Sequence, residues 1–248
     1  MAAVVVIPAR LGSTRFPAKI LARQTGKPLV QHVVDQVRLC RSISQVIVAT
    51  DDASVVSALR PFGTACVLTD PKHPSGTDRV AEVAQGRTEQ IVVNVQGDEP
   101  EIEPQIIDAL VQRLEKGSED MATAATRFPA GADPADANLV KVVADVNGRA
   151  IYFSRLPIPY CRDAVDAGRV AYYLHLGVYA YRRSFLLELA SWSPTPCEMA
   201  EKLEQLRVLE HGRAIGVVIV DRATHGIDTA QQYAEFVERY KQKAAIGA

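Results

Sequence analysis

Residues 4–19 read VVVIPARLGSTRFPAK, a β-branched apolar run that stops at a loop carrying three cations. These cations are Arg10, Arg15 and Lys19. A short apolar run predicts a buried parallel strand, and the ligands of open α/β sheets bind just beyond the carboxyl ends of such strands. Gly12 allows a close backbone approach, and Ser13 and Thr14 add hydroxyl and N–H donors. The stretch therefore predicts an anion site, and a polyphosphate fits this set of groups.

Interaction energies indicate which groups of this loop contribute most to anion binding. A cation about 4 Å from a phosphate oxygen contributes roughly 4 kcal/mol at an effective dielectric of about 20, whereas a helix N-terminus contributes about 0.3–1 kcal/mol. The three cations should therefore dominate anion binding, and a solvated basic turn is the alternative. The loop has neither the Gly-Lys-Ser/Thr of a P-loop nor the G-x-G-x-x-G of dinucleotide-binding proteins, which disfavours ATPase and NAD-dependent functions.

The composition is that of an ordinary globular chain with balanced charge. At 248 residues and 48% hydrophobic, the chain can bury one sizeable core, with at most one large domain plus a subdomain. The formal net charge of −1 argues against bulk binding to nucleic acid or to an anionic membrane. The four cysteines lack Cys-x-x-Cys spacing and no apolar stretch reaches transmembrane length, so we expect reduced thiols and a cytoplasmic protein.

Strands and helices alternate along the chain. The strands are predicted at 46–49, 91–95, 174–181 and 215–220, and the helices at 29–37, around Val80, and at 106–114, 185–190, 201–209 and 229–241. This rhythm predicts right-handed βαβ units, and hence an α/β fold with a mixed, mostly parallel sheet flanked by helices.

A β-hairpin is predicted in the middle of the chain. The β-rich runs at 139–144 and 149–153 flank residues 145–148, Asp-Val-Asn-Gly, whose Asn-Gly pair favours a tight antiparallel turn. We therefore expect a single domain over residues 1–248, to which residues of about 138–182 contribute a smaller β-rich subdomain.

Two acidic residues follow predicted strands. Asp98 comes after the strand at 91–95, where a carboxylate can hold Mg²⁺ against substrate phosphates, with an acidic turn as the alternative. Asp228 follows the last strand and opens the last helix, so it is either a helix N-cap or a second metal ligand.

Two further segments are ambiguous from the residues alone. In SGTDR, residues 75–79, Thr77 or Asp78 is either the N-cap of the following helix or part of a ligand site. In LEQLR, residues 203–207, the helical spacing of the leucines leaves Glu204 and Gln205 on a solvated face.

Together these residues resemble one family, the 3-deoxy-manno-octulosonate (Kdo) cytidylyltransferases. The likeness covers nearly the whole chain, and chance would hardly place nine motifs in the same order. The motifs are IPARLGSTRFPAK (7–19), VATD (48–51), SGTDR (75–79), NVQGDEP (94–100), VKVV (140–143), YFSR (152–155), HLGVY (175–179), LEQLR (203–207) and DT (228–229).

The resemblance implies a Rossmann-like nucleotidyltransferase fold of the nucleotide-diphospho-sugar transferase type, with a β-rich subdomain that helps to form a homodimer. It also implies transfer of CMP from CTP to the anomeric hydroxyl of Kdo, with release of pyrophosphate, for lipopolysaccharide biosynthesis and with Mg²⁺ as the cofactor.

The resemblance assigns roles residue by residue. The implied CTP-binding residues are Ala9, Arg10, Leu11, Ser13, Arg15, Lys19, Ser75, Gly76, Thr77 and Arg79. The implied Kdo-binding residues are Gln96, Arg155, His175, Tyr179, Glu204 and Gln205. Asp98 and Asp228 are the implied metal ligands, and with Arg10 and Lys19 they form the implied catalytic set.

Two alternatives remain open at this point. The sugar acid could be 8-amino-Kdo or sialic acid, although sialic acid cytidylyltransferases have Lys at the position of Arg15 and lack the Gln-Gly-Asp-Glu-Pro segment. A non-catalytic nucleotide-binding module would explain the cationic loop but gives no reason for Asp98 and Asp228 beside Glu204 and Gln205. Neither alternative implies a nucleic-acid or membrane partner.

Overall fold

A computed structural model describes residues 3–12, 15–163, 170–222 and 226–246. The strands are β1 (Ala3–Pro8), β2 (Ile43–Thr50), β3 (Ala65–Leu68), β4 (Ile91–Asn94), β5 (Met121–Arg127), β6 (Lys141–Ala144), β7 (Ala150–Ser154), β8 (Tyr173–Arg182) and β9 (Ile215–Val220). The α-helices are α1 (Leu29–Val37), α2 (Ala53–Leu59), α3 (Gly76–Gln85), α4 (Pro104–Lys116), α5 (Arg183–Leu189), α6 (Pro196–Glu201), α7 (Leu206–Glu210) and α8 (Ala230–Ile246). Short 3₁₀ turns occupy Lys19–Leu21 and Arg60–Phe62.

The main sheet has the strand order β3-β2-β1-β4-β8-β5-β9. β1 pairs in parallel with β2 and β4, β2 pairs in parallel with β3, and β5 pairs in parallel with β9. β8 runs antiparallel to both β4 and β5. The predicted mixed, mostly parallel sheet flanked by helices is thus confirmed.

β1 is buried on both faces of this sheet. Val5 and Ile7 pack in the core that α1 and α4 cover, while Val4 and Val6 pack in the core that α3 and α5 cover. A strand covered on both sides reads as a continuous apolar run instead of alternating with polar residues. The loop after Pro8 therefore begins at the carboxyl edge of the sheet, directly after a fully packed strand.

The predicted hairpin is formed by β6 and β7, which pair antiparallel. It joins the main sheet through the pair Lys141–Leu174 and through an isolated bridge between Arg149 and Gly216. The range 138–182, which we expected to contribute a β-rich subdomain, thus includes both this hairpin and β8, which lies between β4 and β5 in the main sheet. Its role in dimer formation stays a prediction.

The predicted helix at 201–209 is wrong, because the chain breaks there. α6 ends at Glu201, Lys202 adopts a left-handed conformation with φ of +53°, and α7 begins at Leu206. A left-handed residue other than glycine leaves no mark in the apolar spacing, so the helical pattern concealed the break. As a result, Glu204 lies in the turn between two helices and not on a solvated helix face.

Four strands and α-helices had no prediction: β3, α2, β5 and α6, of which only the last residue falls in the helix predicted at 201–209. The sequence of β5, MATAATR, is dominated by alanine and threonine, and it lacks the aliphatic β-branched residues that mark the other central strands. Its first six residues are nevertheless buried, since it lies between β8 and β9. Small side chains suit this position because neighbouring elements fill the space above and below.

Replacing Ile107, which is fully buried on α4, by alanine should lower the free energy of unfolding by about 2–5 kcal/mol, because a cavity adds to the lost transfer energy. Ile219 on β9 is half exposed, and Ile219→Ala serves as the matched control, with an expected change within about 0.5 kcal/mol. Urea unfolding of both variants measures the difference. Equal losses in the two variants would contradict the assignment of Ile107 to the core.

Candidate active site

A cleft of about 430 Å³ opens beyond the carboxyl ends of β1 and β4. Its charged lining consists of Arg10, Arg15, Lys19, Asp98 and Asp228, with Ser75, Gly76 and Gln96 beside them. The cleft therefore brings together the cationic loop and both carboxylates that the sequence singled out. Among the described residues, no group of three or more His, Cys, Asp and Glu side chains is arranged to hold a metal ion.

Close backbone packing holds the two sides of this cleft together. The N–H of Val95 donates to the carbonyl oxygen of Val6, which continues the pairing of β4 with β1. At Gly97, a Cβ atom would lie 3.0 Å from the carbonyl oxygen of Pro8. Only glycine accepts this approach without displacement, so Gly97 sets how closely the segment carrying Asp98 lies to the cationic loop.

Lys19 is the centre of the charge cluster. Its Nζ donates to Asp98 Oδ2 at 2.5 Å, to Asp228 Oδ1 at 3.1 Å and to the carbonyl oxygen of Ile227 at 2.8 Å. Burial by itself would lower the pKa of Lys19, but the hydrogen bonds and negative charges of the two carboxylates outweigh it and raise the pKa. Lys19 is therefore held as a cation, with only 11% of its side chain exposed.

The segment before α8 positions Asp228. The N–H of Ile227 donates to the carbonyl oxygen of Asp98 at 2.8 Å, which joins the two acidic segments directly. The Ile227 side chain is buried in a small core with Leu29, Tyr233 and Phe236. Sequence reasoning did not single out Ile227, because an isolated aliphatic residue between two loops carries no functional signal.

The N-cap of α8 is Thr229 and not Asp228. Thr229 Oγ1 accepts from the N–H of Gln232, and Gln232 Oε1 accepts from the N–H groups of both Asp228 and Thr229. Thr229 therefore caps the helix, and the carboxylate of Asp228 is left to pair with Lys19 and, at 3.0 Å, with Arg15.

Arg10 joins the cationic loop to the segment before α3. Its Nη2 donates to the carbonyl oxygens of His73 and Ser75 at 2.8 and 2.7 Å. Of the other loop residues predicted to bind CTP, Ala9 is buried and Leu11 is partly buried against the core, while Ser13 lies outside the described residues.

Ser75, and not Thr77 or Asp78, is the N-cap of α3. The Ser75 side chain accepts from the N–H of Asp78, and the Asp78 carboxylate accepts from the N–H of Ser75, which forms a reciprocal capping box. The predicted N-caps were wrong because the capping serine stands two or three residues before Thr77 and Asp78. Thr77 is thereby free to donate to Glu204.

Arg79 is fully buried on α3. Its guanidinium donates to Thr69 Oγ1 and, at 2.8 Å, to the carboxylate of Asp51 at the end of β2. These contacts tie α3 to the carboxyl edge of the sheet. The role of Arg79 in CTP binding stays a prediction.

Four of the residues predicted to bind Kdo gather around β8. Gln96 Nε2 donates to Asn94 Oδ1 at 3.3 Å, the rings of His175 and Tyr179 lie 5.5 Å apart, and the Tyr179 hydroxyl donates to Gln205 Oε1 at 3.4 Å. Gln205 is buried and its Nε2 has no partner within the described part of the chain. Of this polar wall, Gln96 also lines the cleft, and the unpartnered Nε2 of Gln205 is a buried atom.

Arg155, the remaining predicted Kdo-binding residue besides Glu204, is committed elsewhere in this structure. Its guanidinium donates to the carbonyl oxygens of Ala137, Glu201 and Lys202. These bonds fasten the end of β7 to the turn between α6 and α7. Contact between Arg155 and a sugar stays a prediction.

His175 is partly buried beside Thr123, a residue that sequence reasoning missed. Its Nε2 lies 3.0 Å from Thr123 Oγ1, and its ring makes an edge-on contact with Phe153. Burial lowers the pKa of His175 to about 3. Burial, aided by the charges of Glu204 and Glu99, raises the pKa of Tyr179. Both groups are therefore neutral hydrogen-bonding partners near pH 7.

Two solved structures share this fold over nearly the whole chain. A CMP:2-keto-3-deoxy-manno-octonic acid synthetase complexed with CTP matches with a TM-score of 0.92 and 38% identity, covering 98% of this chain and 100% of that one. A cytidylyltransferase from Leptospira borgpetersenii, at 16% identity, shares the fold with a TM-score of 0.62 and covers 99% and 96% of the two chains. Fold and cleft together thus define a nucleotidyltransferase.

Sequence similarity narrows this class. A family model described as Cytidylyltransferase matches residues 4–215. A relative from Geobacter sulfurreducens, named 3-deoxy-manno-octulosonate cytidylyltransferase, is 46% identical over 245 residues, 95% of this chain and 98% of its own. A relative of the same name from Leptospira biflexa is 44% identical over 243 residues, 97% of either chain. The chain belongs to the cytidylyltransferase family.

The low pKa of His175 should make the free energy of unfolding depend on pH. The folded protein keeps His175 unprotonated down to about pH 3, whereas the unfolded chain takes up the proton near pH 6.5, so the unfolded state binds more protons between these values. This residue should therefore cost about 2 kcal/mol of stability between pH 7 and pH 5. Burial lowers the pKa of His32 to about 4, which adds a second contribution of the same sign.

Urea unfolding at pH 7 and pH 5 measures this loss. The variant His175→Gln should lose less stability than the parent on acidification, because only the parent protonates this residue on unfolding. An equal loss in the two proteins would contradict the low pKa of His175.

Proposed function

We propose that this protein transfers CMP from CTP to the anomeric hydroxyl of Kdo and releases pyrophosphate. The names of relatives that are 44–48% identical over nearly the whole chain support this substrate pair, as does the CTP named in the similar solved structure. The observation that carries the proposal is the meeting of the cationic loop with two carboxylates in one cleft beyond parallel strands.

The chemistry requires several negative charges to be held close together. CTP carries a triphosphate, and in the proposed reaction Arg10, Arg15 and Lys19 hold its phosphates. Each cation within about 4 Å of a phosphate oxygen supplies roughly 4 kcal/mol at an effective dielectric of about 20. Ser75 and Gly76 line the same cleft at the start of α3, where backbone N–H groups suit the phosphates or the ribose.

The donor set fits Mg²⁺. Asp98 and Asp228 supply hard oxygen ligands that already bind one shared cation, the Lys19 ammonium. Mg²⁺ is typically held by one or two carboxylates together with substrate phosphates and water, so the described residues need no third acidic ligand. We therefore propose Asp98 and Asp228 as its ligands. A Mg²⁺ held there supplies Lewis acidity toward phosphate oxygens and toward a hydroxyl that must lose its proton.

The protein's own groups do the remaining work of the transfer. The oxygen of the anomeric hydroxyl forms a bond to the α-phosphorus, and the hydroxyl loses its proton. The bond from that phosphorus to the oxygen between the α- and β-phosphates breaks, and this oxygen leaves with pyrophosphate. No enzyme nucleophile is needed, so the residues act by positioning and by charge stabilisation. Arg10 and Lys19 would stabilise the charge that builds on the α-phosphate and on the departing pyrophosphate.

The sugar acid would lie against the polar wall near β8. In the proposal, Gln96, Tyr179 and Gln205 hydrogen-bond its hydroxyl and carboxylate groups, with Arg155, His175 and Glu204 as further contacts. The unpartnered Nε2 of Gln205 supports this wall as a binding surface, since a buried donor costs free energy until it finds an acceptor. The neutral ring of His175 adds a hydrogen-bonding group without charge.

We further propose a homodimer that works in the cytoplasm and supplies lipopolysaccharide biosynthesis. Exposed apolar side chains on and after the hairpin, namely Val146, Ile151, Leu156 and Tyr160, support an interface between two copies there. Within the described residues, no helix is long and apolar enough to span a membrane.

Pyrophosphate release tests the reaction and the sugar together. The protein is mixed with CTP and Mg²⁺ and offered Kdo, 8-amino-Kdo or N-acetylneuraminate, with an EDTA arm for each. We expect release with Kdo and loss of that release in EDTA. A preference for another sugar acid would identify that acid as the substrate and leave the reaction class unchanged. No pyrophosphate release with any acid would refute the transferase function.

Replacing Asp98 or Asp228 by asparagine should reduce turnover at least about 100-fold while leaving the fold intact, because several kcal/mol of charge stabilisation are lost. Glu238, an exposed carboxylate on α8 that pairs with Lys241, provides the control Glu238→Gln, which should retain parental activity. Circular dichroism checks the fold of each variant. Near-parental turnover in either aspartate variant would remove that residue from the metal site.

A further inference from the structure

Lys19 is paired with both of the carboxylates that are proposed to hold the divalent cation. An ammonium group has three N–H donors, and all three are engaged here, by Asp98, by Asp228 and by the carbonyl oxygen of Ile227. The two carboxylates are those proposed above to hold Mg²⁺. The Lys19 ammonium group and a metal ion therefore cannot both bind Asp98 Oδ2 and Asp228 Oδ1.

The distances make the competition direct. Nζ lies 2.5 and 3.1 Å from the two carboxylate oxygens, and a Mg²⁺ ion bonds to oxygen at about 2.0–2.1 Å. A cation bound by both oxygens would thus lie in nearly the same space as Nζ. Two cations that close together also repel one another, so metal binding requires the ammonium group to leave.

A bound triphosphate would give the Lys19 ammonium group alternative acceptors. Its flexible four-carbon side chain rises from a short 3₁₀ turn at the edge of the cleft, on the same side as Arg10 and Arg15. Phosphate oxygens bound by these two arginines would offer the ammonium group acceptors within the reach of a changed side-chain rotamer. The backbone of the turn need not move.

We propose that Lys19 exchanges between the carboxylate pair and the nucleotide triphosphate, and so couples nucleotide binding to divalent-cation binding. A triphosphate that draws the ammonium group away frees two carboxylates for the metal. Because linkage is reciprocal, bound metal raises nucleotide affinity by the same factor. The identity of the two ligands rests on the proposed function.

The substitution Lys19→Met tests the exchange by moving two affinities in opposite directions. Without nucleotide, the variant should bind Mn²⁺ about tenfold more tightly than the parent, because the internal competitor is gone. Its affinity for CTP should fall about tenfold, because a phosphate contact is gone. Electron paramagnetic resonance counts free Mn²⁺, a cation that shares the oxygen-ligand preference of Mg²⁺. General damage to the cleft would weaken both ligands together.

A lysine–aspartate pair outside the cleft provides the control. Lys27 pairs with Asp35 on α1, and Lys27→Met should change neither affinity. If Lys19→Met binds Mn²⁺ no more tightly than the parent, the exchange is refuted.

The double variant Asp98→Asn, Asp228→Asn separates this inference from the proposed function. If the double variant loses Mn²⁺ binding and Lys19→Met has the same Mn²⁺ affinity as the parent, the exchange is refuted but the metal site is supported. Retained Mn²⁺ binding in the double variant refutes the metal site and the exchange with it. Pyrophosphate release by the parent protein tests the transferase function independently of both.

A measurement on the parent protein avoids any question of misfolding. With ¹⁵N-labelled lysine, the held ammonium of Lys19 should give a protected Nζ resonance, assigned by its absence in Lys19→Arg. Mg²⁺ without nucleotide should remove this resonance as the carboxylates exchange partners. A resonance that persists at saturating Mg²⁺ would overturn the proposal.

Discussion

The site depends on the close parallel pairing of β1 and β4. Both strands are buried on both faces, and at Gly97 the chain passes so near the carbonyl oxygen of Pro8 that a Cβ atom would lie only 3.0 Å from it. The cations that follow β1 and the carboxylate that follows β4 therefore leave the sheet side by side. Charges this close together interact strongly. The ammonium group of Lys19 lies between the two carboxylates and pairs with both of them. The electrostatics of the cleft thus follow from backbone packing.

Much of this arrangement could be predicted from the sequence. The apolar run at 4–7 indicated a strand that places the following cations at the carboxyl edge of the sheet, and the position of Asp98 after the strand at 91–95 indicated a carboxylate at the same edge. These predictions succeeded because each depends on local order along the chain and on one general property of parallel sheets. The hairpin followed in the same way from a single Asn-Gly turn.

Other features could not be predicted because they depend on distant contacts. Lys202 in its left-handed conformation splits the helix predicted at 201–209, and only the split brings Glu204 to the hydroxyl of Thr77. β5 is buried by its neighbours in the sheet and not by its own composition. Ile227 connects the two acidic segments through its peptide group, a contribution to which its side chain gives no clue. The exact partners of charged residues likewise emerged only from the folded chain.

The position of Asp228 has a consequence for how the protein matures. Its segment is attached to Asp98 by one backbone hydrogen bond and to the body by the apolar side of α8, which packs on Leu29 and Phe16. A nascent chain that has released β9 from the ribosome but not α8 can complete the whole sheet and still lack one carboxylate and the acceptor at Ile227. Completion of the charge cluster therefore requires the docking of α8 in addition to the folding of the sheet.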